Sequence, residues 1–304
     1  MLKYFLFLLI LFVSASLSAQ PKTTRLAGRH SLDSLRSQLE RTASAAQGKV
    51  GVAATLLETG ESIALQGDQR FPMQSVYKLP IAMVALHLVD QGKLTLDQPV
   101  RVDKVEYVSE RQHSPLRDKS PDGTEVSVSE LLRYAVSESD GSASDVLMRL
   151  VGGPNVIMTY LNSLGIKDMI VANTEKELGA DNAVQYRNWA KPTEAVALLR
   201  LIQQGRGLSE SSRALLLRIM TETETGLHRL KGQLPAGTVV AHKTGTSWTI
   251  DGLTAATNDI GLITLPSGRH IALAVFVSDA RADQKTREAV IANLSRTIWN
   301  YWNK

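Results

Sequence analysis

The sequence contains no cysteine among its 304 residues, and only six of its residues are histidine. A chain without cysteine has no disulfide bonds, no thiolate metal ligands and no thiol nucleophile. The histidines show no metal-ligand spacing, so no metal site is predicted. Long runs of one charge are also missing. Lysine and arginine are scattered and the formal net charge is only +4, which argues against a nucleic-acid partner.

Only the first residues form a long apolar run, and that run has the features of a signal peptide. Lys3 supplies a positive start, residues 4–13 are apolar, and residues 14–19 are small residues suited to cleavage. The run is too short for a bilayer core of about 30 Å, and no stop-transfer segment follows it. We therefore predict a signal peptide over 1–19, cleaved near Ala19, and a periplasmic or secreted mature protein without a stable membrane anchor.

The mature chain, residues 20–304, has strand patterns near both ends and helical patterns between them. Thr59-Gly60 joins two of the strands as a hairpin. The predicted strands cover residues 50–57, 61–66, 238–241, 259–265 and 270–278. This order predicts an α+β fold in which both chain ends build one antiparallel sheet, flanked by helices, around an inserted all-helical lobe. The expected sheet lobe spans about 20–74 and 221–304, and the helical lobe about 75–220. A cleft between two such lobes is a natural site.

Capping residues and prolines in the sequence predict where several helices begin. Ser127 and Glu130 form a capping box at a helix start, and Pro154 begins another helix. Helices are also predicted over about 75–89 and 282–301. The polar segment 174–190 has no clean period and is predicted to be a long loop.

The first chemical motif is Ser75-Val76-Tyr77-Lys78. At helical spacing Ser75 and Lys78 lie on one face, so the lysine amine can reach the serine hydroxyl. Serine is a weak nucleophile until a base takes its proton, and a partly desolvated lysine can be that base. Pro80 lacks an N–H group, so a helix through it must begin very near Ser75.

Two further motifs follow. Ser139-Asp140-Gly141 lies between two helical stretches, where a turn can direct a hydroxyl into a cleft. Lys243-Thr244-Gly245-Thr246 follows a strand and offers a cation and a hydroxyl at the sheet edge. Gly245 is expected to permit close approach by a substrate, and the N–H of Thr246 can donate to an oxyanion.

In this order and at these intervals, the motifs resemble those of the penicillin-recognising serine enzymes, with their S-x-x-K, S-D-N and K-T-G elements. Within that superfamily the sequence resembles the class A β-lactamases, and in particular their extended-spectrum branch. Those enzymes carry a glutamate in an omega-shaped loop. Here Glu175, followed by Glu177-Leu178, resembles their E-x-E-L-N pattern. Glu177 is the alternative candidate for the catalytic glutamate.

The resemblance implies roles for the catalytic residues. Ser75 attacks the lactam carbonyl, and the N–H groups of Ser75 and Thr246 form the oxyanion hole. Either Lys78, or Glu175 acting through a water molecule, takes the serine proton. Ser139 passes a proton to the leaving nitrogen, and Glu175 activates the hydrolytic water. We expect a monomer that acts on small-molecule β-lactams without a cofactor or metal.

The resemblance also implies the substrate-binding residues. Lys243, Thr244 and Arg229 are expected to hold the substrate carboxylate, and His113 occupies the place of an aromatic wall residue. Gly141 departs from the usual asparagine, and the missing side chain is expected to leave room beside the acylamino group of the substrate.

A second departure is Gly179, which stands where many class A enzymes carry an asparagine that helps to hold the water. Two other functions stay open at this point: a D-alanyl-D-alanine carboxypeptidase, and a β-lactam-binding sensor that acylates without turnover. A cleaved signal peptide disfavours a sensor, which would need a membrane tether. Glu175 disfavours both alternatives.

Overall fold

The computed structural model describes residues 23–304, with side chains described from Ser31 onward. The expected signal peptide therefore lies outside the described residues. Over the part of the chain that the structure describes, each helix is too short or too polar to cross a bilayer.

The described chain contains both helices and strands. The α-helices are α1 Thr23–Ser44, α2 Lys78–Asp90, α3 Pro115–Lys119, α4 Val128–Val136, α5 Gly141–Leu150, α6 Pro154–Ser163, α7 Glu175–Ala180, α8 Pro192–Gln203, α9 Glu210–Thr221 and α10 Gln284–Trp302. The strands are β1 Lys49–Leu56, β2 Glu61–Leu65, β3 Phe71–Pro72, β4 Pro99–Val102, β5 Thr124–Ser127, β6 Met169–Ile170, β7 Trp189–Ala190, β8 Val240–Thr246, β9 Thr249–Ile250, β10 Leu253–Thr264 and β11 His270–Ala280. Three 3₁₀ helices cover Gln74–Tyr77, Lys104–Glu106 and Asn182–Tyr186.

The main sheet is antiparallel, with strand order β2-β1-β11-β10-β8 and β9 paired to β10. Its strands come from the two ends of the described chain, and most of the helices lie between them in sequence. The predicted α+β fold is therefore confirmed. Strand β8, which carries the third motif, is an edge strand of this sheet.

The buried side chains of β11 belong alternately to two cores, one on each face of the sheet, because successive side chains of a strand point to opposite faces. The odd-numbered residues from Ile271 to Val277 belong to one core, which also contains side chains of α1 and α10. The even-numbered residues from Ala272 to Phe276 belong to the other, with side chains of α2 and α8. The second core joins the sheet to the helical insertion.

Helix α2 is buried on all sides over its first residues, from Lys78 to Leu86. A helix that is apolar all round is typical of a protein centre. The expected helix from Ser75 is present, but it begins as the 3₁₀ turn Gln74–Tyr77 before it becomes α-helical. This order places Ser75 and Lys78 at the entrance of the central helix.

Several local predictions are confirmed. Ser127 and Glu130 form a capping box at the start of α4, Pro154 begins α6, and Thr59-Gly60 connects β1 to β2. Strand β8 extends through Thr246, well beyond the predicted end, because it pairs with β10 along the whole third motif.

The prediction of a long loop over 174–190 missed the short elements within it. The segment contains α7, a 3₁₀ helix and β7. Its helix starts at a second capping box, in which Thr174 accepts from the Glu177 amide and the Glu177 carboxylate accepts from Thr174. The same S/T-x-x-E signal that located α4 was present here.

Phe276 lies where the two lobes meet, and its side chain is fully buried. Its ring stacks on that of Phe71, with centroids 5.9 Å apart. We expect Phe276→Ala to lower the free energy of unfolding by about 3–5 kcal/mol, because it removes apolar contacts and leaves a cavity. Urea denaturation measures the change. Val239→Ala, at a half-exposed position, is the control and should change stability by about 0.5 kcal/mol or less. Equal effects of the two substitutions would contradict this account of the core.

Candidate active site

A cleft of about 320 Å³ opens between the Gln74–Tyr77 turn, strand β8 and helix α7. We call the Gln74–Tyr77 turn the serine turn, because it carries Ser75. Six residues identified from the sequence line it: Ser75, His113, Ser139, Glu175, Thr244 and Thr246. The others, Lys78, Lys243, Arg229 and Gly141, lie behind its walls, where they are almost fully buried. The structure thus brings all ten residues into one region.

Ser75 is held at the cleft by the segment before it. The Asn258 side-chain amide donates to the carbonyl oxygens of Pro72, at 2.8 Å, and Met73, at 3.1 Å. A Cβ atom on Gly245 would overlap the Met73 carbonyl oxygen. Gly245 was expected to make room for substrate. Instead, it lets strand β8 approach the serine turn closely enough to place Thr246 beside Ser75.

Lys78 is buried and its ammonium group is satisfied on two sides. It donates to the Ser139 carbonyl oxygen at 2.7 Å and lies 3.2 Å from the Glu175 carboxylate. Only 1% of the Lys78 side chain is exposed, so this carboxylate is a short, weakly screened counter-charge. The serine turn, the second motif and α7 therefore meet at one buried cation.

Ser139 and Lys243 form the second polar pair of the site. The Lys243 ammonium donates to the Ser139 hydroxyl at 2.8 Å and to the Thr244 carbonyl oxygen at 3.1 Å. Burial, and then the nearby positive charge of Lys78, lower the pKa of Lys243 well below its usual range. The lysine is consequently a better proton donor towards Ser139 than an exposed lysine would be.

An unusual backbone conformation points the Ser139 hydroxyl at this lysine. Ser139 has a φ of +60°, in the left-handed region that a residue other than glycine seldom adopts. The next residue, Asp140, fixes the turn, because its carboxylate accepts from the amides of Ala143, at 2.8 Å, and Leu116, at 2.7 Å. Capping of α5 by Asp140 thus holds the strained serine in place.

The two candidate glutamates of the omega-shaped loop point in different directions. Glu175 faces the cleft, where its Oε2 accepts from the Tyr77 hydroxyl at 2.8 Å and contacts Lys78. Glu177 turns back to cap α7, and its Oε2 accepts from the Thr174 amide at 2.8 Å. This backbone hydrogen bond is the main reason why the pKa of Glu177 is lowered. Of the two glutamates, only Glu175 lines the cleft together with Ser75.

Asp145, on α5, anchors the start of α7 and had not been identified from the sequence. Its two carboxylate oxygens accept from the amides of Glu175, at 2.7 Å, and Lys176, at 2.9 Å. Burial raises the pKa of Asp145 to about 6. No local sequence signal marks this residue, because both of its partners come from a distant segment.

Arg229 reaches the cleft only through another side chain. Its guanidinium is 3% exposed, and it donates to the Thr246 hydroxyl at 2.8 Å and to the Asn258 carbonyl oxygen at 2.9 Å. Thr244 lines the cleft, and its hydroxyl oxygen lies 2.6 Å from that of Thr225. A substrate carboxylate at this end of the cleft would meet two threonine hydroxyls backed by buried cations.

The expectation that Gly141 leaves room for substrate is wrong. A Cβ atom at 141 would lie 2.8 Å from the Cγ atom of Glu175, so the glutamate side chain already fills that space. The Gly141 amide donates to the His113 carbonyl oxygen at 2.9 Å. The His113 ring lines the cleft, and its Nε2 contacts the Glu138 carbonyl oxygen at 2.9 Å. The absence of a side chain at 141 therefore affects where Glu175 lies more than it affects how wide the cleft is.

The arrangement is suited to acyl transfer to water. A serine hydroxyl lies at a helix entrance, a buried lysine–carboxylate pair is on one side, and a second lysine–hydroxyl pair is on the other. Among residues 31–304, there is no group of three or more acidic or histidine side chains that could hold a metal ion.

Comparisons with known proteins agree with this geometry. Residues 34–302 match the model of the β-lactamase enzyme family. The extended-spectrum β-lactamase PER-1 of Pseudomonas aeruginosa is 45% identical over 88% of this chain and 87% of its own. The β-lactamase VEB-1, also of Pseudomonas aeruginosa, is 37% identical over 89% of this chain and 91% of its own.

A solved structure agrees equally well. The crystal structure of a β-lactamase from Chitinophaga pinensis superimposes with a TM-score of 0.86 at 46% identity, and covers 88% of this chain and 98% of that one. The sequence motifs, the cleft and these relatives agree on one assignment. The chain belongs to the β-lactamase enzyme family, as a class A serine β-lactamase that hydrolyses β-lactam rings.

Proposed function

We propose that Ser75 is the nucleophile of this enzyme and that Glu175 is the base that releases the product. The observation that carries the proposal is the position of Ser75 in a cleft between two buried pairs, Lys78 with Glu175 and Lys243 with Ser139. We further propose that the protein is exported and acts as a monomer. Export rests on the leader-like residues 1–19.

Acylation follows from this arrangement. Ser75 attacks the lactam carbonyl, and the amides of Ser75 and Thr246 stabilise the developing oxyanion. Lys78 and Glu175, 3.2 Å apart, act as one coupled pair in accepting the serine proton. Ser139, which accepts a hydrogen bond from Lys243, passes a proton to the leaving nitrogen.

Deacylation requires a base, because the ester to Ser75 is stable until water is activated. Glu175 is the carboxylate that lines the cleft, and Asp145 fixes the amide of the same residue. A carboxylate held in this way favours a β-lactamase over a carboxypeptidase, or over a sensor that retains the acyl group.

The shape of the cleft favours substrates with bulky side chains. It continues into a groove of about 650 Å³ lined by residues of the α7 segment and by Trp248 and Ile250. Trp248 is 49% exposed there. PER-1, a relative at 45% identity, is named an extended-spectrum enzyme. We propose that oxyimino-cephalosporins are hydrolysed as well as penicillins.

The role of Ser75 is tested by substitution and intact mass. We expect Ser75→Ala to remain folded, because the side chain is only partly buried, and to gain no mass on exposure to a penicillin. The Glu175→Gln protein, in which deacylation is expected to be slow, should show the added mass of one opened β-lactam and serves as the positive control. A covalent adduct on Ser75→Ala would show that another residue is the nucleophile.

The role of Glu175 is tested with a matched pair. Glu175→Gln should still acylate but should deacylate about 10²–10⁴-fold more slowly, because an amide cannot accept the proton. The acyl-enzyme should then persist after excess substrate is removed. Glu177→Gln is the control, because glutamine preserves a capping box, and it should turn over at close to the parental rate. The reverse result would place the base two residues further on.

The substrate range is tested by steady-state rates on a penicillin and an oxyimino-cephalosporin. We expect measurable kcat/KM for both. Trp248→Ala should change kcat/KM for the oxyimino-cephalosporin more than for the penicillin, because only the bulky side chain reaches the groove. Absence of turnover with the oxyimino-cephalosporin, or equal effects of Trp248→Ala on both, would contradict the proposed use of the groove.

A further inference from the structure

Gly179 lies in α7, where glycine has no conformational purpose. Its φ is not in the left-handed region, and glycine in a helix costs about 0.5–1 kcal/mol relative to alanine. The reason for glycine is space. A Cβ atom at 179 would overlap the carbon, oxygen and nitrogen atoms of the Gln112 side-chain amide.

The Gln112 amide is held in that space by three hydrogen bonds. Its Oε1 accepts from the Ser109 amide at 3.3 Å and from the Ser109 hydroxyl at 3.0 Å. Its Nε2 donates to the backbone carbonyl oxygen of Glu175. The Gln112 residue itself is only 7% exposed. Its contacts join the segment before α3 to the first residue of α7.

Glu175 is therefore held from several directions. Asp145 accepts from its amide, Gln112 donates to its carbonyl oxygen, and the Tyr77 hydroxyl and Lys78 ammonium bind its carboxylate. The contact from Gln112 depends on a missing side chain, because a Cβ atom at 179 would displace the Gln112 amide. Gln112 and Gly179 both line the cleft beside Glu175.

We propose that Gln112 is a positioning residue for deacylation, and that Gly179 exists to admit its side-chain amide. The inference rests on the proposed role of Glu175 as the deacylating base. Gln112 fixes the peptide that carries Glu175, so that the carboxylate meets the acyl-enzyme at one distance and angle. Because the amide is the far end of a flexible side chain, a methyl group at 179 displaces it without blocking the fold.

The central test is Gln112→Met, which keeps an unbranched side chain of similar length but has no N–H to donate. We expect its deacylation rate constant to fall about 10-fold to 100-fold, in line with the loss of about 10²-fold that a 1 Å misplacement can cause. Its acylation rate constant should fall less than its deacylation rate constant, because Ser75, Lys78 and the oxyanion donors are untouched and Glu175 shares acceptance of the serine proton with Lys78. Stopped-flow and rapid-quench mass measurements separate the two steps. Gln38→Ala, at an exposed position on α1, is the control and should change neither step.

The pairing with Gly179 has its own test. Gly179→Ala should slow deacylation about as much as Gln112→Ala, since both remove the same hydrogen bond. The double variant should be no slower than either single variant, because alanine at 112 leaves room for the Cβ atom at 179. Deacylation losses that multiply in the double variant would show two independent roles and overturn the pairing.

A last experiment shows whether Gln112 acts through Glu175. In a Glu175→Gln background, Gln112→Met should not slow the residual deacylation further. A further 10-fold loss there would overturn the inference, as would deacylation by Gln112→Met within twofold of the parent. If Glu175→Gln itself fails to accumulate acyl-enzyme, the proposed base is wrong. If it accumulates acyl-enzyme while Gln112→Met deacylates normally, only the present inference fails.

Discussion

The buried ammonium group of Lys78 is the constraint on which the rest of the site depends. Removing a charge from water costs several kcal/mol unless partners replace the lost hydration. Here the partners are the Ser139 carbonyl oxygen, at 2.7 Å, and the Glu175 carboxylate, at 3.2 Å. They come from two different segments of the helical insertion. Satisfying one cation therefore forces the second motif and the omega-shaped segment to converge on the serine turn.

Both of those partners are stabilised in turn by residues of one helix, α5, and its cap. Asp140 caps α5 and holds Ser139 at a positive φ, while Asp145 on the same helix binds the first amides of α7. Helix α5 is thus the shared support of both groups that contact Lys78. The main sheet supplies the opposite wall, because the contact of Gly245 with Met73 brings β8 against the serine turn. The buried ion thus ties segments of the helical insertion together, and the close contact of Gly245 with Met73 brings the sheet against them.

Much of the fold was predictable, because it follows from local rules. The period-two pattern of β11 and the capping box at Ser127 each depend on neighbours in sequence. The motif positions were predictable for the same reason.

The predictions that failed have a different origin. The open space expected at Gly141 is filled by Glu175, and the space at Gly245 by the Met73 carbonyl. What fills the place of a missing side chain depends on distant segments, which periodicity and spacing do not describe. Helix α7 is different, because its start follows from a local rule. The capping box of Thr174 and Glu177 is visible in the sequence and predicts a helix there.

The protonation of Lys243, the second buried lysine, depends on charged groups that lie outside the cleft. Lys243 lies under Ser139, and the positive charge of Lys78 adds to burial in lowering its pKa. Asp259 opposes this shift from behind the strand, where it contacts His242 Nδ1 at 2.9 Å. An anionic group bound in front of Lys243 would act in the same direction as Asp259, because an opposite charge nearby favours the protonated form. The carboxylate of a β-lactam is such a group. Binding of an anionic group in front of Lys243 and retention of the Lys243 proton are therefore thermodynamically linked, and each favours the other.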